Sequence, residues 1–82
     1  MNIYVGNLNY NAVEDELQEL FENYGKVNSV KIITDKYSGK SKGFGFIEMD
    51  IEDEAKAAIS ELNNTDFKGR NIVVNEARPR RT

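Results

Sequence analysis

The chain has 82 residues, of which 39% are hydrophobic and 30% charged, and its formal net charge is −3. This length fits one small domain with a single core, and the composition is typical of a folded, soluble protein rather than a disordered one. The sequence contains neither cysteine nor histidine, which excludes disulfides, thiolate zinc sites, a cysteine nucleophile and imidazole acid–base chemistry.

The charges are distributed unevenly along the chain. Residues 1–25 and 50–62 hold ten acidic side chains and one basic, a net charge of −9, whereas residues 26–49 and 63–82 hold ten basic and four acidic, a net charge of +6. We therefore expect an acidic part and a basic surface, so that the overall charge says little about the partner. No apolar run approaches the ~18 residues of a membrane span, and Met1 leads straight into a strand-like segment instead of a signal peptide. These features indicate a cytoplasmic protein.

The first half of the chain predicts a strand, a helix and a second strand. Residues 2–5 include β-branched and aromatic side chains and precede a Gly-Asn pair, which predicts a short strand. From about Val13 the apolar residues recur at intervals of three and four, so a helix is expected there. Gly25 is expected to end this helix in the left-handed conformation. Residues 27–34 are again rich in β-branched side chains and predict the second strand.

The second half predicts a hairpin, a second helix and a last strand. A turn around Gly39, where a positive φ is needed, joins the second strand to a third at residues 42–49. Asp50 is expected to cap a helix that runs to about Leu62, and residues 71–77 predict the last strand. The order βαββαβ predicts a two-layer α+β domain, in which both helices cover one face of a four-stranded sheet.

The third strand indicates what lies on the other face of the sheet. Its side chains alternate between two sets, and the set that begins with Lys42 and ends with Glu48 cannot be buried, because both charges would lie unpaired in the core. Phe44 and Phe46 belong to this set. We therefore expect both rings on the face that the helices leave open.

Two further side chains are placed by the same alternation. Ile3 and Val5 form the natural core pair of the first strand, so Tyr4 between them is expected on the open face. In the second strand, Lys31 points away from the apolar residues on either side of it. Three aromatic rings with lysines nearby can stack under unpaired bases and neutralise phosphates, which indicates a surface for single-stranded nucleic acid.

These segments also resemble a known family. Residues 3–8, IYVGNL, are similar to the shorter ribonucleoprotein motif of the RNA recognition motif (RRM) family, and residues 42–49, KGFGFIEM, resemble its longer octamer. The octamer differs from the family pattern at Ile47 and Met49, which are expected to face the core. The resemblance is greatest to short single-domain RRM proteins of bacteria and organelles. It implies a ferredoxin-like sandwich with strand order 4-1-3-2, one domain over residues 1–79 and a short basic tail at 80–82.

The resemblance further implies non-catalytic binding of single-stranded RNA. Tyr4 and Phe46 would stack under bases, and Phe44 would pack against a ribose. Lys42 would meet phosphate, and the last strand would read base edges. The complete set of predicted RNA-binding residues is Tyr4, Phe44, Phe46, Lys42, Lys31, Asn75, Ala77 and Arg78.

Alternatives remain open from the residues alone. Single-stranded DNA is a possible ligand, because stacking does not distinguish the sugar. A protein-interaction module is the alternative function, since exposed apolar patches also mark protein interfaces. An enzyme is the remaining alternative, but no nucleophile–base pair or phosphate-cradling loop is evident, so neither catalysis nor a cofactor or small-molecule substrate is expected. No metal is expected either, because exposed helical carboxylates rarely converge. The acidic residues of the first helix are expected to form a solvated face: Glu14, Asp15, Glu16, Glu19 and Glu22.

Overall fold

The computed structural model describes residues 1–77, which form two helices and six strands. The elements are β1 (Asn2–Gly6), α1 (Glu14–Glu22), β2 (Ser29–Thr34), β3 (Ser41–Glu48), α2 (Glu52–Leu62), β4 (Asp66–Phe67), β5 (Arg70–Asn71) and β6 (Val73–Ala77). The expected domain end at residue 79 and the basic tail lie outside the described residues. Neither helix in this part of the chain has the length and apolar character needed to span a bilayer.

Four strands form one antiparallel sheet in the order β2-β3-β1-β6. Since β6 is the last of the four long strands, this is the expected order 4-1-3-2, and the βαββαβ sandwich is confirmed. The strands β1 and β3, which carry the two motif-like segments, occupy the centre. The two central strands of the sheet thus carry the aromatic residues predicted to bind.

The core lies between the sheet and the two helices. In α1, Leu17 and Phe21 are buried at helical spacing, and α2 contributes two alanines and Leu62. From the sheet, Ile3 and Val5 are both fully buried. Each large apolar side chain removed from water contributes about 1.5–3 kcal/mol. All this burial is on one face, so the other face is left without a covering layer among the described residues.

The end of α1 differs from the expectation. The helix ends at Asn23, which has a right-handed φ of −64°, and Gly25 is not among the residues with positive φ. The predicted left-handed cap is therefore wrong. A Cβ on Gly25 would lie 2.6 Å from the Cβ of Glu54, and a carboxylate oxygen of Glu54 accepts a hydrogen bond of 3.1 Å from the Lys26 N–H. Glycine is needed here for the close approach of α2.

The start of α2 also differs. The residue that caps it is Ile51, whose carbonyl accepts the first helical bond from the Ala55 N–H at 3.0 Å, and no side chain caps this end. The prediction of an Asp50 cap is wrong by one residue. Three acidic residues of the first turn, Glu52, Asp53 and Glu54, are placed where the positive end of the helix dipole favours them.

Candidate nucleic-acid interface

Three aromatic rings form a cluster at the centre of the open sheet face. The ring centroids of Tyr4 and Phe44 are 6.1 Å apart, those of Tyr4 and Phe46 5.9 Å, and those of Phe44 and Phe46 6.2 Å. Tyr4 and Phe44 are half-buried, and Phe46 is 39% exposed. Their strand neighbours point into the core, so the expected placement of the rings on the open face is confirmed. Centroid separations of this size are typical of interacting aromatic pairs, so the three rings form one platform.

Strand register extends this platform into a row across the whole sheet. Direct Cα partners in successive strands are, in order, Lys31, Phe46, Tyr4 and Asn75. A cation therefore lies at one end of the row, an amide at the other and two rings between them. Of the predicted site residues, Lys31 and Asn75 are thus brought beside the rings.

The next row along the strands, called the polar row below, consists of three polar side chains and an alanine. Its direct partners are, in order, Ser29, Glu48, Asn2 and Ala77. Together with Lys31 and Phe46, these side chains line a hollow of about 300 Å³ at this end of the face. Ala77 was predicted as a site residue and borders the hollow. Glu48, Asn2 and Ser29 were not, although the alternation that placed Phe46 on this face places Glu48 there as well.

The lysines near the platform keep their charges available. Lys31 and Lys42 are exposed, and the ion pairs found within residues 1–77 join Lys56 to Glu52 and Lys68 to Glu16. Neither Lys31 nor Lys42 is therefore held in an ion pair within the described part of the chain. Arg78, the remaining predicted contact, lies outside the described residues.

The β2–β3 connection carries further cationic and aromatic groups. Tyr37 is 90% exposed, and the Lys36 Nζ lies 5.6 Å from its ring centroid. The loop is ordered by Asp35, whose carboxylate accepts hydrogen bonds from the backbone N–H groups of Tyr37 and Ser38 at 2.7 and 3.1 Å. These bonds lower the pKa of Asp35 below its ordinary value, because they stabilise the ionised form of its carboxylate. Gly39 adopts the positive φ predicted for it, +74°.

Two buried glycines, Gly6 and Gly45, allow close packing around the aromatic platform. A Cβ on Gly6 would lie 2.8 Å from the Cζ of Tyr4, so the tyrosine ring lies across this glycine. A Cβ on Gly45 would lie 2.5 Å from the Lys31 carbonyl oxygen and 3.1 Å from the Ile32 Cα. Gly45 therefore permits the close approach of β2 and β3. Sequence reasoning placed Gly45 on the buried side but gave no reason for the residue type, which depends on the neighbouring strand.

A polar network connects the β4–β5 hairpin to the loop after β1. Arg70, the first residue of β5, donates a hydrogen bond of 2.6 Å to the Asn7 Oδ1. The Asn7 Nδ2 in turn donates to the Asn71 carbonyl at 2.6 Å, and Asn7 itself has a positive φ of 56°. The network fixes the chain where β1 ends, next to Tyr4 and Gly6.

The acidic residues of α1 were expected to form a solvated face. Two of them, Glu14 and Glu16, also accept hydrogen bonds from other parts of the protein. Glu16 accepts hydrogen bonds from the Lys68 Nζ at 3.0 and 2.8 Å, and these bonds lower its pKa. Glu14 accepts a bond of 3.0 Å from the Ile32 N–H and so satisfies a backbone donor of strand β2. Glu14 is exposed as predicted and Glu16 is partly exposed, but the hydrogen bonds that both make within the protein were not predicted. Within residues 1–77, no group of acidic side chains converges as a metal site.

Known proteins resemble this chain over nearly its whole length. The model of the RNA recognition motif family matches residues 3–73. A putative RNA-binding protein RbpA of Nostoc sp. PCC 7120 is 46% identical over 80 residues, which cover 98% of this chain and 78% of that protein. Its namesake in Synechocystis sp. PCC 6803 is 44% identical, over 98% of this chain and 79% of that protein.

Solved structures agree with the sequence comparisons. The crystal structure of RNA binding protein PG1 superposes with a TM-score of 0.94 at 50% identity and covers 100% of this chain and 99% of that one. A Sex-lethal protein–RNA complex gives a TM-score of 0.87 at 35% identity, over 93% of this chain and 47% of the other. This chain belongs to the RNA recognition motif family.

Proposed function

We propose that this protein binds single-stranded RNA on the open face of its sheet. The observation that carries the proposal is the cluster of Tyr4, Phe44 and Phe46, whose centroids lie 5.9–6.2 Å apart on the two central strands. The relatives are described as RNA-binding proteins, and the solved neighbours include RNA complexes. Tyr4 and Phe46 stack under bases, and Phe44 packs against a sugar.

The polar residues around the rings complete this mode of binding. Lys31 and Lys42 neutralise phosphates as point charges, while Asn75 and the backbone near Ala77 form hydrogen bonds with base edges. Arg78 adds a phosphate or base-edge contact from outside the described residues. The mechanism involves no bond making or breaking, so we infer a non-catalytic role in post-transcriptional regulation or RNA chaperoning. A cytoplasmic location is proposed with it, because transcripts are available there.

The expected affinity is modest. Stacking contributes about 1–3 kcal/mol per base, so two or three stacked bases supply about 2–9 kcal/mol before the cost of ordering the strand. Dissociation at about 1 μM corresponds to about −8.2 kcal/mol. We therefore expect one domain of this kind to bind short RNA with micromolar or weaker affinity.

The proposal is tested by titrating a labelled pool of short random RNA with the protein at a series of salt concentrations, followed by fluorescence polarisation. Contacts to three or four phosphates predict a slope of about −2 to −3 in a plot of log affinity against log salt. Loss of one contact in Lys42→Gln should make the slope shallower by about 0.7. Lys56→Gln, on α2 and paired with Glu52, is the control and should leave the slope unchanged.

Two results would contradict this proposal. A slope near zero would show that the lysines do not contact phosphates. An absence of binding even at low salt would show that RNA is not the ligand. The same rings would then be tested as a protein interface.

A further inference from the structure

The polar row beside the platform places a carboxylate where a base edge would lie. Glu48 follows Phe46 by two residues on the same face of β3, so their Cα atoms are about 6.5–7 Å apart along the strand. Both side chains are exposed, and both line the hollow of about 300 Å³. This volume is at the lower end of the range for small-ligand sites. A base stacked on Phe46 can therefore extend its edge toward Glu48.

We propose that Glu48 selects guanine as the base that stacks on Phe46. The inference rests on the proposed function and adds the identity of one base to it. A carboxylate accepts hydrogen bonds and donates none, and its two oxygens accept side by side. Guanine presents two adjacent donors on its pairing edge, the N1–H and the 2-amino group, which match this geometry. The carboxylate–guanine pair is thus bidentate.

The other bases fit the carboxylate less well. Uracil presents one N–H between two carbonyl oxygens, and these oxygens oppose a carboxylate. Adenine and cytosine each present an amino group beside a ring nitrogen that carries a lone pair, so only one bond forms. Because a carboxylate near the RNA backbone also repels phosphate, Glu48 lowers the affinity for strands that do not supply both donors.

The neighbours of Glu48 favour the same base. The Ser29 Oγ lies 3.5 Å from the Glu48 Oε1, a long contact that leaves the carboxylate oxygens free to accept further bonds. The Asn2 amide, which also lines the hollow, can donate to a carbonyl oxygen. Guanine carries such an acceptor, O6, next to its N1–H. Donors and acceptors of the hollow therefore complement the guanine edge.

The test compares uridine octamers in which one central position is guanosine, inosine, adenosine, cytidine or uridine, titrated with wild-type protein by fluorescence polarisation. Guanosine should bind about 5- to 10-fold more tightly than uridine, the lower end of the range for a bidentate contact because the face is open to water. Inosine lacks the 2-amino group and should fall between them. In Glu48→Gln the guanosine preference should shrink to less than about 2-fold, because one acceptor becomes a donor.

A matched variant and the wild-type series distinguish the possible outcomes. Glu61→Gln makes the same change of charge on the exposed surface of α2 and should retain the wild-type preference. Equal binding of guanosine and inosine by the wild type would overturn the inference, as would an undiminished preference in a folded Glu48→Gln. If no octamer binds at all, the proposed function fails, whereas binding without base preference removes only the role of Glu48.

Discussion

Simultaneous replacement of Tyr4, Phe44 and Phe46 by alanine is expected to abolish measurable RNA binding while the protein remains folded. Each ring that stacks on a base or packs against a sugar contributes about 1–3 kcal/mol. The loss of all three removes most of the binding free energy that a micromolar complex has. The rings lie on the open face and contribute no residue to the buried core cluster, so thermal unfolding should remain cooperative. The measurement is the polarisation titration together with a melt followed by circular dichroism.

A control is needed for the general loss of exposed apolar surface. Val13 and Ile51 are 53% and 49% exposed and precede the two helices. Alanine at both positions should leave the affinity within about 2-fold of wild type, since neither side chain lies on the platform. If the triple variant does not fold, Phe46→Ala, the most exposed of the rings, decides the question with an expected loss of about 1–3 kcal/mol. Unchanged binding by a folded triple variant would contradict the assignment.

Gly45→Ala is expected to lower the free energy of unfolding by about 3 kcal/mol, at the upper end of the range for overpacking. The added Cβ would lie 2.5 Å from the Lys31 carbonyl oxygen and 3.1 Å from the Ile32 Cα. Both are backbone atoms of the adjoining strand, so a side-chain rotation cannot relieve the clash. For a domain of this size the melting temperature should fall by about 12–24 °C.

Gly39→Ala separates this clash from the general effect of removing a glycine. Gly39 has a φ of +74°, and no heavy atom lies within 4 Å of an added Cβ. Its substitution should cost about 1–2 kcal/mol from backbone strain alone. Chemical denaturation of both variants gives the comparison. A Gly45→Ala variant as stable as Gly39→Ala, or more stable, would contradict the tight β2–β3 approach.

The side of the sheet on which each residue lies could be predicted from the sequence, because a strand has a strict period of two. Charged residues at both ends of one set in residues 42–49 exclude that set from the core, and this fixed the position of Phe44 and Phe46 without any knowledge of the fold. The neighbourhood of Tyr4 depended on strand order, which came from the family resemblance. Once that order is known, the register of the strands aligns four residues in one row: Lys31, Phe46, Tyr4 and Asn75.

The features that were missed depend on contacts between segments far apart in sequence. Gly25 is needed because a Cβ at this position would clash with the side chain of Glu54. The Glu14 carboxylate accepts a hydrogen bond from the Ile32 N–H. The β4–β5 hairpin is short, with a turn of positive φ at Lys68 and Gly69, and its strands carry no periodic pattern. Glu48 was placed on the correct face, but the hollow that it lines includes side chains from all four strands of the sheet. No local pattern could reveal that hollow.

The most direct measurement is a nuclear magnetic resonance titration of ¹⁵N-labelled protein with single-stranded RNA. Binding on the open face predicts that the largest chemical-shift changes occur in β1 and β3, around Tyr4, Phe44 and Phe46, with smaller changes along β6. The exposed surfaces of α1 and α2 should remain unchanged. Changes confined to the helices, with β1 and β3 unaffected, would contradict the assignment of the aromatic sheet face as the RNA-binding surface.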